Sequence, residues 1–226
     1  MAFIVGIDGP AGTGKGTITS LISKELGLVN IDTGATYRCV ALYVLKKNIK
    51  VEEKDKIISI LNEINIDMKN ENGVQKVFLN GEDVSREIRT KEVSSIVSRV
   101  SSIIEVRIKM VDLQRKLAQG KDVIMEGRDI TTYVFPNADV KIYLDANEEE
   151  RAKRRYKELV QNGTEILYQE VLENIRKRDK NDKEKEMGAL KIAEDAIYID
   201  TTNLSIDEVK EKVKQIILKK MKEGIK

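Results

Sequence analysis

FIVGIDGPAGTGKGT, residues 3–17, decides how the rest of the chain reads. Its opening FIVGID is a short apolar run that ends in a glycine-rich turn, the pattern of a buried strand. From Lys15 to about Leu26 the apolar residues Ile18, Leu21, Ile22 and Leu26 fall at helical spacing, with Gly27 placed to end the helix. Gly9, Pro10, Ala11, Gly12, Thr13, Gly14, Lys15, Gly16 and Thr17 therefore lie where a strand gives way to a helix, the context a Walker A loop requires. The glycines let successive backbone N–H groups face one anion, and the helix adds its positive end. Lys15 then reaches the β and γ phosphates of a nucleotide. A glycine-rich turn with an incidental lysine is the plainer alternative, and no G-x-G-x-x-G of a dinucleotide-binding loop aligns on these glycines.

Outward from the loop, a second short strand at 28–31 runs into a helix whose Tyr37, Val40, Ala41, Val44 and Leu45 repeat at three and four residues. Residues 64–84 break this rhythm by alternating apolar with polar around Asn72-Gly73, a hairpin signal, so a small antiparallel insertion is expected. Helical patterns follow at roughly 90–101 and 103–118, then strands at 123–125, 140–144 and 196–199. Asn147 with Glu148, Glu149 and Glu150 makes a helix start. Ser205 and Glu208 have capping-box spacing, with Leu204 and Val209 as a hydrophobic staple, before a final helix. Five strands alternating with helices predict an α/β fold, a five-stranded parallel sheet flanked by helices in one domain spanning 1–226.

Composition narrows the chemistry. With 226 residues, 41% of them apolar, the chain can bury a real core. No apolar run approaches the roughly 20 residues needed to span a bilayer, and the N-terminus lacks the marks of a signal peptide. A cytoplasmic location with no membrane partner is expected. Cys39 is the single cysteine, which excludes an internal disulfide and a Cys-rich metal site and reads as a small apolar helix residue. There is no histidine, which removes Ser-His-Asp hydrolysis, histidine-ligated zinc and histidine general bases together. Phosphoryl transfer needs only Arg, Lys, Asp and backbone amides. The 40 basic residues are nearly balanced by 38 acidic ones, so nothing argues for a nucleic-acid polymer as partner.

A kinase acting on a nucleotide must hold a second phosphate opposite the first, a task for guanidinium groups. Four segments offer them: 32–38 (DTGATYR), 126–129 (EGRD), 150–155 (ERAKRR) and 175–185 (IRKRDKNDKEK). The first two lie at the carboxyl ends of predicted parallel strands, where ligands bind in open α/β sheets. Each arginine alone also fits an ordinary surface residue. In the third, Arg151, Arg154 and Arg155 are expected on one helical face. In the fourth, Arg178, Asp182 and Lys185 make one polar stripe, and spacing alone equally fits a solvated helix laced with i,i+4 pairs.

Gly16 departs from the strict Walker pattern, which puts Ser or Thr straight after the lysine, and this variant resembles nucleoside monophosphate kinases. Thr17 is accordingly assigned to the nucleotide phosphates. Along nearly its whole length the chain resembles bacterial cytidylate kinases, through GIDGPAGTGKGT, DTGATYR, EDVSREIRTKEV, EGRDITTYVFPNADVKIYLDA, ERAKRR, RKRDKND and IDTTNLS. The resemblance implies a P-loop core, an insertion at 64–90 that binds the nucleoside monophosphate, and a short helical lid at 154–175. It implies that Lys15, Arg128 and Arg178 serve the transfer, and that Arg154 and Arg155 cover ATP together with the loop. Thr33, Arg38, Arg128 and Arg178 would meet the acceptor phosphate and the transferring group. Ser98 and Arg107 would face the pyrimidine, Asp129 would orient Arg107, and Asp182 would accept from the sugar hydroxyls. Lys185 stands where the family often has a base-contacting arginine, and a lysine cannot fork across two acceptors.

The implied reaction moves the γ-phosphoryl group of ATP, with Mg2+ carried by the nucleotide and no metal site of the protein's own, onto CMP or dCMP. A monomer is expected. A kinase for UMP, dTMP or AMP and a P-loop switch without a phosphoryl acceptor are the competing readings. Interleaved acids and only 4% aromatics disfavour polynucleotide binding.

Overall fold

The computed structural model describes residues 2–71, 74–161 and 163–223. Along the chain run β1 (Ile4–Asp8), α1 (Lys15–Leu26), β2 (Val29–Asp32), α2 (Thr33–Lys46), α3 (Lys54–Ser59), β3 (Ile66–Glu71), β4 (Val74–Leu79) and β5 (Glu82–Asp83). Then come α4 (Lys91–Val100), α5 (Ile104–Ala118), β6 (Val123–Gly127), β7 (Val140–Asp145), α6 (Glu148–Gln161), α7 (Tyr168–Glu184), β8 (Ile197–Asp200) and α8 (Ile206–Glu223). No described helix is long and apolar enough to cross a membrane.

Five strands form one parallel sheet in the order β2-β6-β1-β7-β8. Alternation along each strand sends side chains to opposite faces. On one face Val5, Ile7, Ile124, Ile142 and Leu144 pack with Ile18 and Ile22 of α1 and Val209, Val213 and Ile217 of α8. On the other face Val123 and Met125 pack with Val111 and Ala118 of α5. Both faces are therefore covered, as parallel sheets require. Each fully buried Val, Leu or Ile contributes about 1.5–3 kcal/mol relative to exposure.

Helix starts follow the capping signals. Asn147 Oδ1 accepts from Glu150 N at 2.7 Å, and Ser205 and Glu208 cap each other reciprocally at 2.8 and 3.3 Å. Asp32 Oδ1 accepts from Ala35 N at 3.1 Å to begin α2.

The antiparallel sheet β3-β4-β5 occupies the expected insertion, with Ile66 opposite Leu79. Asn72-Gly73 itself lies outside the described residues. The insertion is not a self-contained unit. Ile66, Val77, Leu79, Val84 and Ile88 share one core with Val40 of α2, Ile57 of α3, Val93 and Val100 of α4, and Met110 of α5. The short α3, with Ile57 its one buried residue, carries too little periodicity to be read from sequence. Helices α6 and α7 pack on each other through Ala152, Val171, Leu172 and Ile175, with Tyr156 and Tyr168 meeting edge to face.

The parallel register brings every strand's carboxyl end to one edge, with Asp8 beside Gly127 and Asp32 beside Glu126. At that edge the chain leaving β6 makes a single wide turn of π-helix at Ile130–Val134, which sequence periodicity did not reveal. Its cause is Asp8. This fully buried carboxylate accepts from Ile130 N at 2.9 Å, Thr131 N at 2.7 Å and Thr131 Oγ1 at 2.7 Å. Burial pushes the Asp8 carboxyl above its usual range, against the pull of these hydrogen bonds. Asp8→Ala would strand three buried donors, so the unfolding free energy should fall by about 3 kcal/mol or more. Denaturant unfolding checks this, and a loss below roughly 1 kcal/mol would remove Asp8 from its anchoring role.

Candidate active site

The loop Gly9–Gly14 leaves β1 at the carboxyl edge, and Gly9, Gly12 and Gly14 all have positive φ. A side chain on Gly9 would overlap the Leu144 carbonyl oxygen, so the loop can lie directly against β7. Lys15 is almost fully buried, and its Nζ donates to Pro10 O at 2.6 Å and to Thr13 Oγ1 at 3.2 Å. At Gly16, where the loop departs from the strict pattern, a Cβ would come within 2.8 Å of Glu126 Oε1. Glu126, beside Asp32 near the end of β6, thus brings its carboxylate close to the start of α1. Thr17 is exposed on the first turn of α1.

Arg151 takes a different part from its two neighbours. It is buried against Asp179 at 2.7 Å, and it donates to Ala146 O at 2.9 Å and to Ala11 O at 3.1 Å, propping the phosphate loop from behind. Arg151, Arg154 and Arg155 lie on one regular helix at the expected spacing, but their guanidinium groups go to different partners. Arg154 donates to Thr201 O at 2.6 Å and Thr201 Oγ1 at 3.1 Å, beyond β8. Arg155 pairs with Glu158 at 2.7 Å, half-buried, and its charge reaches Arg38 and Arg178.

Three arginines from three elements act on one another's charge, and Arg128 acts also on Lys15 of the loop. Arg38 on α2 donates to Ser94 Oγ at 2.9 Å and Ile88 O at 3.3 Å. Arg128, just past β6, donates through Nε to Asp182 Oδ2 at 2.8 Å. Arg178 on α7 has no hydrogen-bond or ion-pair partner among the described residues. Burial pushes its guanidinium down to about 10, with Arg128, Arg38 and Arg155 adding to the fall and Asp182 opposing it. Burial also pushes Lys15 down to about 7, with Arg128 acting in the same sense. Glu126 is pushed up to about 7, again chiefly by burial. Four cations thus crowd one cleft, a site built for an anion.

The solvated reading of residues 175–185 does not hold. Asp179 and Asp182 lie on the buried side of α7, and Lys185 sits past its last residue, as the cap. Both oxygens of Asp182 are engaged: Lys185 Nζ donates to Oδ1 at 2.9 Å, and Arg128 takes Oδ2. Burial alone would raise this carboxyl, but Arg128 and Lys185 hold it well below the usual range. Lys185 also donates to Ser101 Oγ at 3.2 Å.

A second cluster of polar groups gathers around Arg107. Arg107 and Asp129 form a nearly fully buried ion pair, and Arg107 Nη1 donates to Ser101 O at 3.3 Å. The guanidinium stands over the ring of Tyr37, 5.3 Å from its centre. Burial pushes the Tyr37 phenol up to about 12, so it stays a donor. Two buried polar atoms here have no partner among the described residues, Ser98 Oγ and Arg107 Nε, while the Tyr37 hydroxyl turns to the Gln114 side chain. Beneath them a chain of hydrogen bonds runs from Gln114 Nε2 to Thr36 Oγ1 at 3.0 Å, from Thr36 Oγ1 to Thr33 O at 2.7 Å, and from Thr33 Oγ1 to Glu126 O at 2.6 Å. Thr33 is thus a buried brace between strand ends.

The sequence assigned no site role to Asp8, Glu126, Tyr37 or Gln114, and it did not separate Arg151 from its neighbours. Tyr37 reads as an ordinary helix residue at apolar spacing, and Asp8 as the last residue of a strand. The one available signal was an acid inside an otherwise apolar run, in FIVGID.

Comparison with known proteins agrees with this geometry. The sequence model of the family described as cytidylate kinase matches residues 5–219. A protein named cytidylate kinase from Caldicellulosiruptor bescii is 52% identical over 98% of this chain and 98% of its own length. One from Bacillus subtilis with the same name is 43% identical over 96% of each. Among solved structures, an uncharacterized protein from Eubacterium ventriosum shares the fold with a TM-score of 0.50 at 10% identity, covering 96% of this chain and 98% of that one. A match spanning both the phosphate loop and the three arginine elements places the chain in the cytidylate kinase family.

Proposed function

We propose that this chain transfers the γ-phosphoryl group of ATP to the 5′-phosphate of CMP or dCMP, giving ADP and the nucleoside diphosphate. The observation that carries the reading is the mutual proximity of Arg38, Arg128 and Arg178, from three separate elements, with Arg128 acting on Lys15 of the phosphate loop and Arg178 unpaired among the described residues. A switch that only binds a nucleotide has no use for a second cationic cradle. The acceptor phosphate is already anionic, so no general base is required, in keeping with a chain that has no histidine. Catalysis then consists of positioning and charge neutralisation.

In this reading the loop amides and Lys15 hold the donor phosphates, with Lys15 exchanging its Pro10 carbonyl for phosphate oxygen. Arg128 and Arg178 neutralise charge on the group in flight, and Arg38 holds the acceptor phosphate. Asp182 keeps Arg128 in place, with Lys185 on its other oxygen. The pocket of Ser98, Tyr37, Arg107 and Asp129 takes the base. Its unpaired atoms suit a ring that presents acceptors at a carbonyl and ring nitrogen beside an exocyclic amine, as cytosine does. The segments 64–90 and 154–175 serve as the acceptor-binding insertion and the lid that excludes water.

Mg2+ enters on the nucleotide phosphates. The residues beside the loop fit it, since the space that Gly16 keeps free of a Cβ is filled by a carboxylate oxygen of Glu126, a hard donor. Glu126 and the exposed Thr17 hydroxyl would hold the ion and its waters, and the ion supplies charge neutralisation at the phosphates.

Three measurements test this. In an ADP-release assay with CMP, dCMP, UMP, AMP and dTMP, turnover should be strongest with CMP or dCMP, by roughly ten-fold or more over the others. Acceptor-independent turnover would instead mean an ATPase. Arg38→Ala and Arg128→Ala should each lower kcat/KM for CMP by on the order of a hundred-fold or more while ATP still binds. Full activity in either would overturn the assignment of the cradle. Glu126→Gln should raise the Mg2+ concentration giving half-maximal rate by about ten-fold, and an unchanged Mg2+ dependence would remove Glu126 from that role.

A further inference from the structure

The turn after α7 brings bare backbone against the buried ion pair of Arg107 and Asp129. It is tied at both ends: Lys185 Nζ bridges Asp182 and Ser101, and Leu190 N donates to Asp182 O at 2.7 Å. Between these ties Gly188 adopts φ +64°, the left-handed region that a side chain disfavours. A Cβ on Gly188 would overlap Arg107 Nη2 and Asp129 Oδ2 and lie 2.6 Å from Arg107 Cζ.

The pair has nowhere to retreat. Arg107 is 2% exposed and Asp129 4%. The Tyr37 ring stands across the guanidinium from one side, and Ser101 O holds Nη1. With Nη1 and Nη2 both engaged, Nε is the donor left without a partner, and its direction is set by where the whole planar group lies.

We propose that Gly188 is a positioning residue for acceptor selectivity. Its lack of a side chain lets the 185–190 turn close onto Arg107 and Asp129, fixing the direction in which Arg107 is offered to the acceptor's ring. The inference rests on the proposal that this pocket takes the base. A Cβ at 188 displaces the pair as a unit, and a shift of about 1 Å at such a donor is enough to cost on the order of a hundred-fold in a productive complex.

The test is steady-state kinetics of the full chain with CMP, UMP and ATP, comparing Gly188→Ala and Gly188→Asn with Gly120→Ala. Asparagine tolerates the left-handed backbone yet carries the colliding Cβ. Gly120 has nearly the same φ, +71°, with nothing within 4 Å of an added Cβ, so it isolates backbone strain from collision. Both substitutions at 188 should lower kcat/KM for CMP by roughly ten- to a hundred-fold and narrow the preference for CMP over UMP by about ten-fold or more. The KM for ATP should hold within about two-fold, as expected for an independent site. Gly120→Ala should lose some stability and keep the native preference. If Gly188→Ala fails to fold, Gly188→Asn gives the same readout. Folded variants at 188 with the native CMP to UMP ratio, or a Gly120→Ala that changes the ratio as much, would overturn the inference and leave the pocket assignment standing. A wild-type enzyme with no preference for CMP over UMP would overturn the pocket assignment itself, and the inference with it.

Discussion

The Asp8 carboxylate is the constraint from which the site's geometry follows. It ends the central strand, one residue before the phosphate loop, and it accepts all three of its hydrogen bonds from the turn after β6. Arg128 and Asp129 stand immediately before that turn. The spacing between the loop and Arg128 is therefore set by a carboxylate one side chain long, inside the sheet's buried edge. A buried carboxylate is expensive, and the desolvation shows in its raised pKa. What offsets the cost is complete hydrogen bonding by donors the π-helical turn would otherwise leave unmet. Fold and site meet in this one side chain.

A second constraint is charge. Lys15, Arg38, Arg128 and Arg178 repel one another in a space of limited solvation, and the protein meets this by giving acids to some and not to others. Arg128 has Asp182, and its pKa is raised despite burial. Arg178 has no acid of its own and is lowered. Arg38 leans on a serine hydroxyl and a backbone carbonyl and is also lowered. In the proposed reaction the cations left without a carboxylate would gain most from an arriving phosphate, which concentrates binding energy where charge develops. Arg151, by contrast, is matched to Asp179 and spends its donors on the backbone behind the loop, which makes it a support and not a ligand.

These distinctions explain what was legible in the sequence. Strands, helices and the phosphate loop are written in local periodicity and turn chemistry, and their expected bounds lie close to those observed, with α1 at Lys15–Leu26. The candidate arginines at strand ends were legible because parallel topology fixes which ends gather at one edge. In the third segment the separate parts of Arg151, Arg154 and Arg155 were not legible, because helical spacing says which residues share a face but not which neighbours compete for their donors. Residues 175–185 were ambiguous for the same reason, since an i,i+4 charge stripe looks alike whether it faces water or a cleft full of cations. Asp8, Glu126 and Gln114 were missed because their significance lies entirely in partners about eighty to one hundred and twenty residues away.

Close approach is the remaining thread, and it explains two glycines that no charge pattern could flag. At Gly16 the missing Cβ admits the Glu126 carboxylate beside the phosphate loop, so an acid on β6 stands where the strict loop pattern would supply a hydroxyl of its own. The hydroxyl moves one residue on, to Thr17. At Gly188 the missing Cβ admits backbone against an ion pair. In both places the absence of a side chain lets a distant charged group be held by rigid elements and not by a flexible arm. An enzyme that works by positioning charge, with no base to titrate, depends on such rigidity, because a guanidinium displaced by an ångström still carries its charge but no longer points it at the reacting group.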